Sequence, residues 1–193
     1  MRPLSPALLI AGASTYLGRG KKQEQLSLEE QEPLAASSSH AAFIHEVGYW
    51  SHFDDRCEFS TWPLPKVGTV GEWAPFAAAH GVLTLAGPNE GDLFLAWSER
   101  HGAYVRAGIV TALVQEPWFE DGQWCYDCLT LEGNATADGE EVKCRSYRAR
   151  RRFSPTLGDR FIRWADLDPR KVVSDPTKAV EWDGGGPRLR RAA

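Results

Sequence analysis

The sequence predicts an α+β fold, with helices first and a small antiparallel β-sheet after them. Three observations carry this expectation. Apolar residues fall at helical spacing in two segments before residue 81. Beyond residue 91 the pattern changes to period two, as in half-buried strands. Gly-containing turns separate the alternating segments, and helices followed by such a meander make an α+β arrangement.

Residues 1–41 read as an N-terminal appendage or linker. The start, MRPLSPALLIAGAS, imitates a secretory leader, with an Arg, an apolar core at Ala7–Ala11 and an Ala-Gly-Ala end. That core is short and Pro6 sits at its entrance, so a short helix is the plainer reading. Gln23 to Gln31 reads as a weak helix ended by Pro33, and Ala35 to Ala42 as a flexible connector.

The domain spans residues 42–168. Ala42 to Phe53 fits a helix, with Phe43, Ile44, Val47 and Trp50 on adjoining faces. Residues 54–70 are loop. Thr69 to His80 is the next helix, with Gly81 as its stop and the His80 charge suited to its C-terminal dipole. After the turn Gly87–Gly91, strands are expected over 92–97, 104–115, 124–132, 142–151 and 159–164. Trp73, Trp97, Trp124 and Trp164 fall at core positions of these elements. Residues 169–193, with three consecutive Gly and a basic end, read as a flexible tail.

Composition narrows the function classes. The 193 residues are 42% hydrophobic and 25% charged, which suffices for a core without disulfide or metal support. A net charge of −4 argues against a protein built around nucleic-acid phosphates. The basic row from Arg145 to Arg152 therefore reads as the solvated, edge-protecting face of a strand. No apolar run approaches the ~20 residues needed to span a bilayer. Cys125 and Cys128 are spaced like half a zinc site, but inside a strand positions three apart face opposite sides. They read as buried small hydrophobes, and no cofactor is expected. Asn134-Ala135-Thr136 is formally a glycosylation sequon, which matters only for a secreted eukaryotic chain. The weak leader and the sparse cysteines favour the cytoplasm over export.

Four short blocks in one order carry a family resemblance: Pro88-x-x-Gly91-Asp92-Leu93-Phe94, Arg106-Ala107-Gly108-Ile109-Val110, Glu132-Gly133-Asn134 and Phe161-Ile162-Arg163-Trp164. Together they resemble a bacterial CHAP-type domain (cysteine, histidine-dependent amidohydrolase/peptidase) over about residues 43–165. The resemblance implies a papain-like fold in which a helix bears Cys and the sheet supplies His and a third polar residue. Such a site cuts peptidoglycan cross-links and related amides: a thiolate attacks the carbonyl and the imidazole relays the proton.

Mapped residue by residue, the resemblance places Arg106 at the His position and Ser51, in Tyr49-Trp50-Ser51-His52-Phe53, at the nucleophile position. Glu132 or Asn134 takes the third position. An Arg cannot be a general base near neutral pH, and Ser51 without a base is a poor nucleophile. The expected function is therefore a catalytically inactive CHAP-like domain. It binds a cell-wall fragment, peptide or protein partner in the former cleft, with Trp50 and Trp62 available for stacking. The alternative is an active peptidoglycan amidase or endopeptidase that uses Ser51 or Cys57, with a base from His45, His52 or His101. Acidic neighbours of Cys57 work against that thiol.

Overall fold

A computed structural model describes residues 4–17, 33–54, 59–138 and 141–167. For residues 33–37, Asp54, Phe59, 134–138 and 141–146 it describes the backbone alone. The architecture is α+β, as expected: among the described residues there are three helices and a seven-stranded antiparallel sheet.

Helix α1 (Pro6–Ser14) begins with the Ser5 hydroxyl accepting the Leu8 N–H at 3.4 Å and Pro6 in its first turn. Nine residues are too few for a helix to persist alone in water. Leu9 and Ala13, four apart on one face, are fully buried in the main core and hold it there. The first forty-one residues are thus not simply an appendage, because residues 4–17 are part of the domain. Helix α2 (Pro33–Ser51) begins at Pro33 rather than near residue 42. Proline suits a helix start, and the Ala- and Ser-rich stretch read as a connector is its first half. Packing decides the matter. Ala41, Phe43, Ile44 and Val47 are buried against the sheet, and helix propensity is a weak prior beside that burial.

Helix α3 (Trp73–Ala79) follows a 3₁₀ turn at Val70–Glu72, where Thr69 and Glu72 form a capping box. Strands β1 (Phe53–Asp54) and β2 (Phe59–Ser60) make a small ladder of their own. The main sheet contains β3 (Leu83–Thr84), β4 (Leu93–Ser98), β5 (Ala103–Leu113), β6 (Trp118–Glu120), β7 (Gln123–Asp138), β8 (Glu141–Phe153) and β9 (Arg160–Ile162). Its order is β3-β9-β4-β5-β7, with β6 pairing the first residues of β7 and β8 pairing the rest. The turn between β6 and β7 has Asp121 at φ 50° and Gly122 at φ 79°, the positive values that a tight hairpin requires.

The sheet curls strongly. Phe153 at the end of β8 lies 4.8 Å from Phe94 on β4 and 5.5 Å from Phe161 on β9, although β5 and β7 intervene in the strand order. Its strands are consequently buried on both faces. Leu93, Leu95, Ala107, Ile109 and Leu131 join the helix-facing core, while Phe94, Val110, Cys128 and Phe161 join the second cluster. Trp73 and Trp164 are core residues as expected; Trp124 is not, being 52% exposed. Its hairpin runs past the end of the core, where Trp124 packs edge-on against Phe119.

Candidate functional site

Arg106 on β5 and Glu132 on β7 form a buried ion pair, with Nη1 donating to Oε2 at 3.0 Å. Local sequence explains their approach. Gly108 is in β5 beside β7, and a Cβ there would meet Phe94 Cε1 at 2.6 Å, the Leu131 carbonyl oxygen at 2.7 Å and Glu132 Cγ at 2.8 Å. Only glycine lets β5 and β7 close with Glu132 folded over it.

Five donors converge on the Glu132 carboxylate. Thr130 Oγ1 and Arg151 Nε donate to Oε1; Arg106 Nη1, Tyr147 Oη and Arg151 Nη2 donate to Oε2. Burial alone would raise the Glu132 pKa. The hydrogen bonds and charge of Arg151, with the charge of Arg106, outweigh burial and hold it below the ordinary value. Glu132 is thus an ionised and saturated acceptor, with no lone pair left for a catalytic proton. Tyr147, pushed up to about 12 by burial and by Glu132, keeps its proton.

His40, in the first half of α2, is buried near the strands that carry this cluster. It is 1% exposed, and the Gly133 backbone and the charges of Arg106, Glu132 and Arg151 act on its ring. Burial first, then the Arg106 charge, lowers its pKa to about 4, so the ring is neutral at pH 7. Its Nδ1 and the Nε of Arg106 are buried without hydrogen-bond partners.

Of the residues singled out in the sequence, Arg106 and Glu132 are brought together. Asn134 continues β7 opposite Arg145, but its side chain lies outside the described residues, and so does all of Cys57. Ser51 is in the last turn of α2, eleven residues past His40, or about 16 Å along the axis. It packs on Gly12 of α1, where a Cβ would stand 1.9 Å from its hydroxyl oxygen. Trp50 and Trp62 belong to that same end of the helix. Trp50 donates to Glu46 at 3.1 Å and packs on Tyr49 and Phe53, whereas Trp62 is buried over Gly48 and against Trp164.

His45 is buried beside Tyr49, and His101 hydrogen-bonds Ser98 within its hairpin turn. Cys125 and Cys128 are both buried, and burial, then Asp127, pushes the Cys128 thiol up to about 12. Among the described residues, no group of three or more His, Cys, Asp or Glu is placed to hold a metal ion. The basic row on β8 is drawn into pairs: Arg150 with Asp127, Arg151 with Glu132, and Arg152 with Glu120 and the Trp118 ring. Among the described residues, no helix is long and apolar enough to cross a membrane.

Sequence reasoning missed His40, Thr130, Tyr147 and Arg151. Alternation offered a signal for three of them. Thr130 and Glu132 share a face of β7, and the register sets Tyr147 opposite Glu132 and Arg151 opposite Cys128 on that face. The signal for His40 was its place just ahead of Ala41, Phe43 and Ile44 at helical spacing. Compared with protein-family models, with curated proteins and with solved structures, the chain matches none.

Proposed function

We propose that this protein is a CHAP-like, papain-like domain that binds without hydrolysing, taking a cell-wall fragment, peptide or protein partner at the former active site. The observation that carries the reading is the buried Arg106–Glu132 pair. The resemblance puts the catalytic imidazole at residue 106, and a guanidinium there cannot accept the proton of a nucleophile.

The neighbouring residues support the same conclusion. The α2 side chain that feels Arg106 and Glu132 is His40, where the family's logic requires a thiol. Glu132, whose counterpart would orient an imidazole, is instead saturated by Arg106, Arg151, Thr130 and Tyr147. An arrangement of this kind retains charge and hydrogen-bonding capacity while lacking a nucleophile–base pair.

The test is incubation of purified, folded protein with peptidoglycan, followed by mass spectrometry of the soluble fragments and sedimentation of the insoluble wall. The expected result is protein retained on the wall with no new amide-cleavage products. New products that vanish in Ser51→Ala or Cys57→Ala would overturn the reading and identify the nucleophile.

A further inference from the structure

Five of the eight large apolar side chains exposed among the described residues lie on one hairpin, made by the end of β5, by β6 and by the start of β7. They are Leu113, Val114, Phe119, Trp124 and Leu129. Register divides them between two faces. Leu113 is opposite Cys128 and Phe119 opposite Trp124, so Leu113, Phe119 and Trp124 share one face, while Val114 and Leu129 are on the other. Phe119 is 62% exposed, and an apolar cluster left open to this extent marks a surface that something covers.

Charge indicates what covers it. From residue 107 to residue 142 the sequence holds no Lys, Arg or His. Of the acids on the hairpin, Asp127 is paired by Arg150 and Glu120 by Arg152. Glu116 and Asp121 are exposed, and among the described residues neither has an ion-pair partner. An apolar centre rimmed by unpaired carboxylates matches a segment that carries apolar and basic side chains together. A second copy of the hairpin does not match, since it would set like charges against each other.

The chain supplies such a segment in Arg188-Leu189-Arg190-Arg191, which lies outside the described residues. Its tether is the twenty residues 168–187, which follow Leu167 and can span up to ~66 Å. The path to the hairpin is shorter. Leu167 is four residues past Arg163, whose Nη2 donates to the Gly87 carbonyl at 2.9 Å. The Tyr126 ring lies against Gly87, and Tyr126 is two residues from Trp124. Six residues of chain and two side-chain contacts make up that path, well within the tether's reach.

We propose that Arg188–Arg191 docks on this hairpin within the same chain, with Leu189 against Leu113, Phe119 and Trp124 and the arginines on Glu116 and Asp121. Guanidinium groups suit the site twice, since they pair with carboxylates and stack on aromatic rings. Tethering makes a weak contact count. A linked segment is presented at an effective concentration on the order of 1 mM, at which a site with a Kd of about 0.3 mM is filled about three-quarters of the time. The contact needs neither Arg106 nor Glu132, so it stands apart from the function proposed above.

Hydroxyl-radical footprinting of the whole chain, read by mass spectrometry, reports the exposure of Phe119 and Trp124. Leu8, exposed on α1, is the internal control. Arg188→Glu/Arg190→Glu/Arg191→Glu should raise oxidation of both rings about two- to fourfold and leave Leu8 unchanged. Glu116→Arg/Asp121→Arg should do the same, and these exposed positions tolerate the change without loss of the fold. Joining the two sets of substitutions should restore protection, because opposite charges face each other again. Protection in the wild-type chain should be unchanged on dilution. Equal oxidation in the wild-type chain and the Arg188–Arg191 variant overturns the proposal, and so does a charge swap that fails to restore protection. Protection that grows with protein concentration overturns it as well, and assigns the hairpin to a second copy.

Discussion

The backbone N–H of Ser5 donates to Nε2 of His52 at 3.2 Å, joining the entry of α1 to the end of α2 across 47 residues of sequence. The other ring nitrogen, Nδ1, donates to the Gly48 carbonyl at 3.0 Å. These two bonds fix the tautomer. His52 is fully buried, with its ring 5.2 Å from Trp164 and 5.6 Å from Trp62. A histidine held this way is a structural clamp, and its acceptor nitrogen is already used on Ser5 rather than on the neighbouring Ser51.

His52→Phe keeps an aromatic ring, a somewhat larger one, and removes both ring nitrogens, leaving the Ser5 N–H without this partner. The expected cost is about 1–3 kcal/mol, read as a lower urea midpoint. Amide exchange over residues 4–17 should accelerate more than exchange in the sheet, because the bond to His52 holds the entry of α1, while Leu9, Ala13 and Tyr16 pack its later turns on the core. Unchanged exchange there would show that apolar burial alone holds α1.

Glu132→Gln removes the counter-charge from two guanidinium groups while preserving shape. Breaking a buried pair by one partner strands the other charge, and the expected loss is about 3–5 kcal/mol in urea unfolding. Asp127→Asn is the comparison, since its partner Arg150 has a side chain 62% exposed. Water can solvate that Arg once it is freed, so the second variant should cost far less. Equal losses would mean that Glu132 is not the organising charge of the cluster.

The meander was legible because its alternation and turn glycines are local signals, and every expected strand from residue 92 onward has a counterpart. The N-terminal half was less so. Residues 35–42 look like a linker because Ser and Ala set no strong pattern; only the sheet beneath Ala41, Phe43 and Ile44 makes them helical. The site was half legible for the same reason. Arg106 and Glu132 sit in recognisable strand motifs, while His40 comes near them only through packing between distant segments. Trp124 went the other way, because alternation marks a face of a strand but not whether core continues over it.

Gly108→Ala tests the close approach of β5 and β7. Two of the three nearest atoms to the new methyl are side-chain carbons that can shift, but the Leu131 carbonyl is ladder backbone and cannot. A loss of about 1–3 kcal/mol is expected, with weakened protection of the β5–β7 amides in hydrogen exchange. Gly102→Ala is the control: no heavy atom lies within 4 Å of its methyl, so any cost there comes from the φ of +57° alone. A Gly108→Ala protein with unaltered β5–β7 protection would show that the strands have room to separate.

Stability should rise with pH between about 4 and 6.5, and three buried groups set the slope. His40 and His45 are each lowered from 6.5 to about 4, His40 by burial and then Arg106, His45 by burial and then Lys66. In that window the unfolded chain binds protons that the folded chain does not. Their contribution is therefore complete above 6.5 and is lost as pH falls toward 4, about 3 kcal/mol for each ring.

Asp92 has the opposite sign. Burial raises it from 3.8 to about 6 against the Asn89 N–H bond and Arg163, so it favours the folded state at low pH and loses that effect as pH climbs to 6. One carboxyl against two imidazoles leaves a net rise. Urea midpoints at pH 5, 6 and 7 should increase in that order, with His40→Gln flattening the trend. Asp92→Asn should steepen it below pH 6, because it removes the opposing titration. Midpoints flat or falling from pH 5 to 7 would mean that the two histidines are not held neutral in the fold.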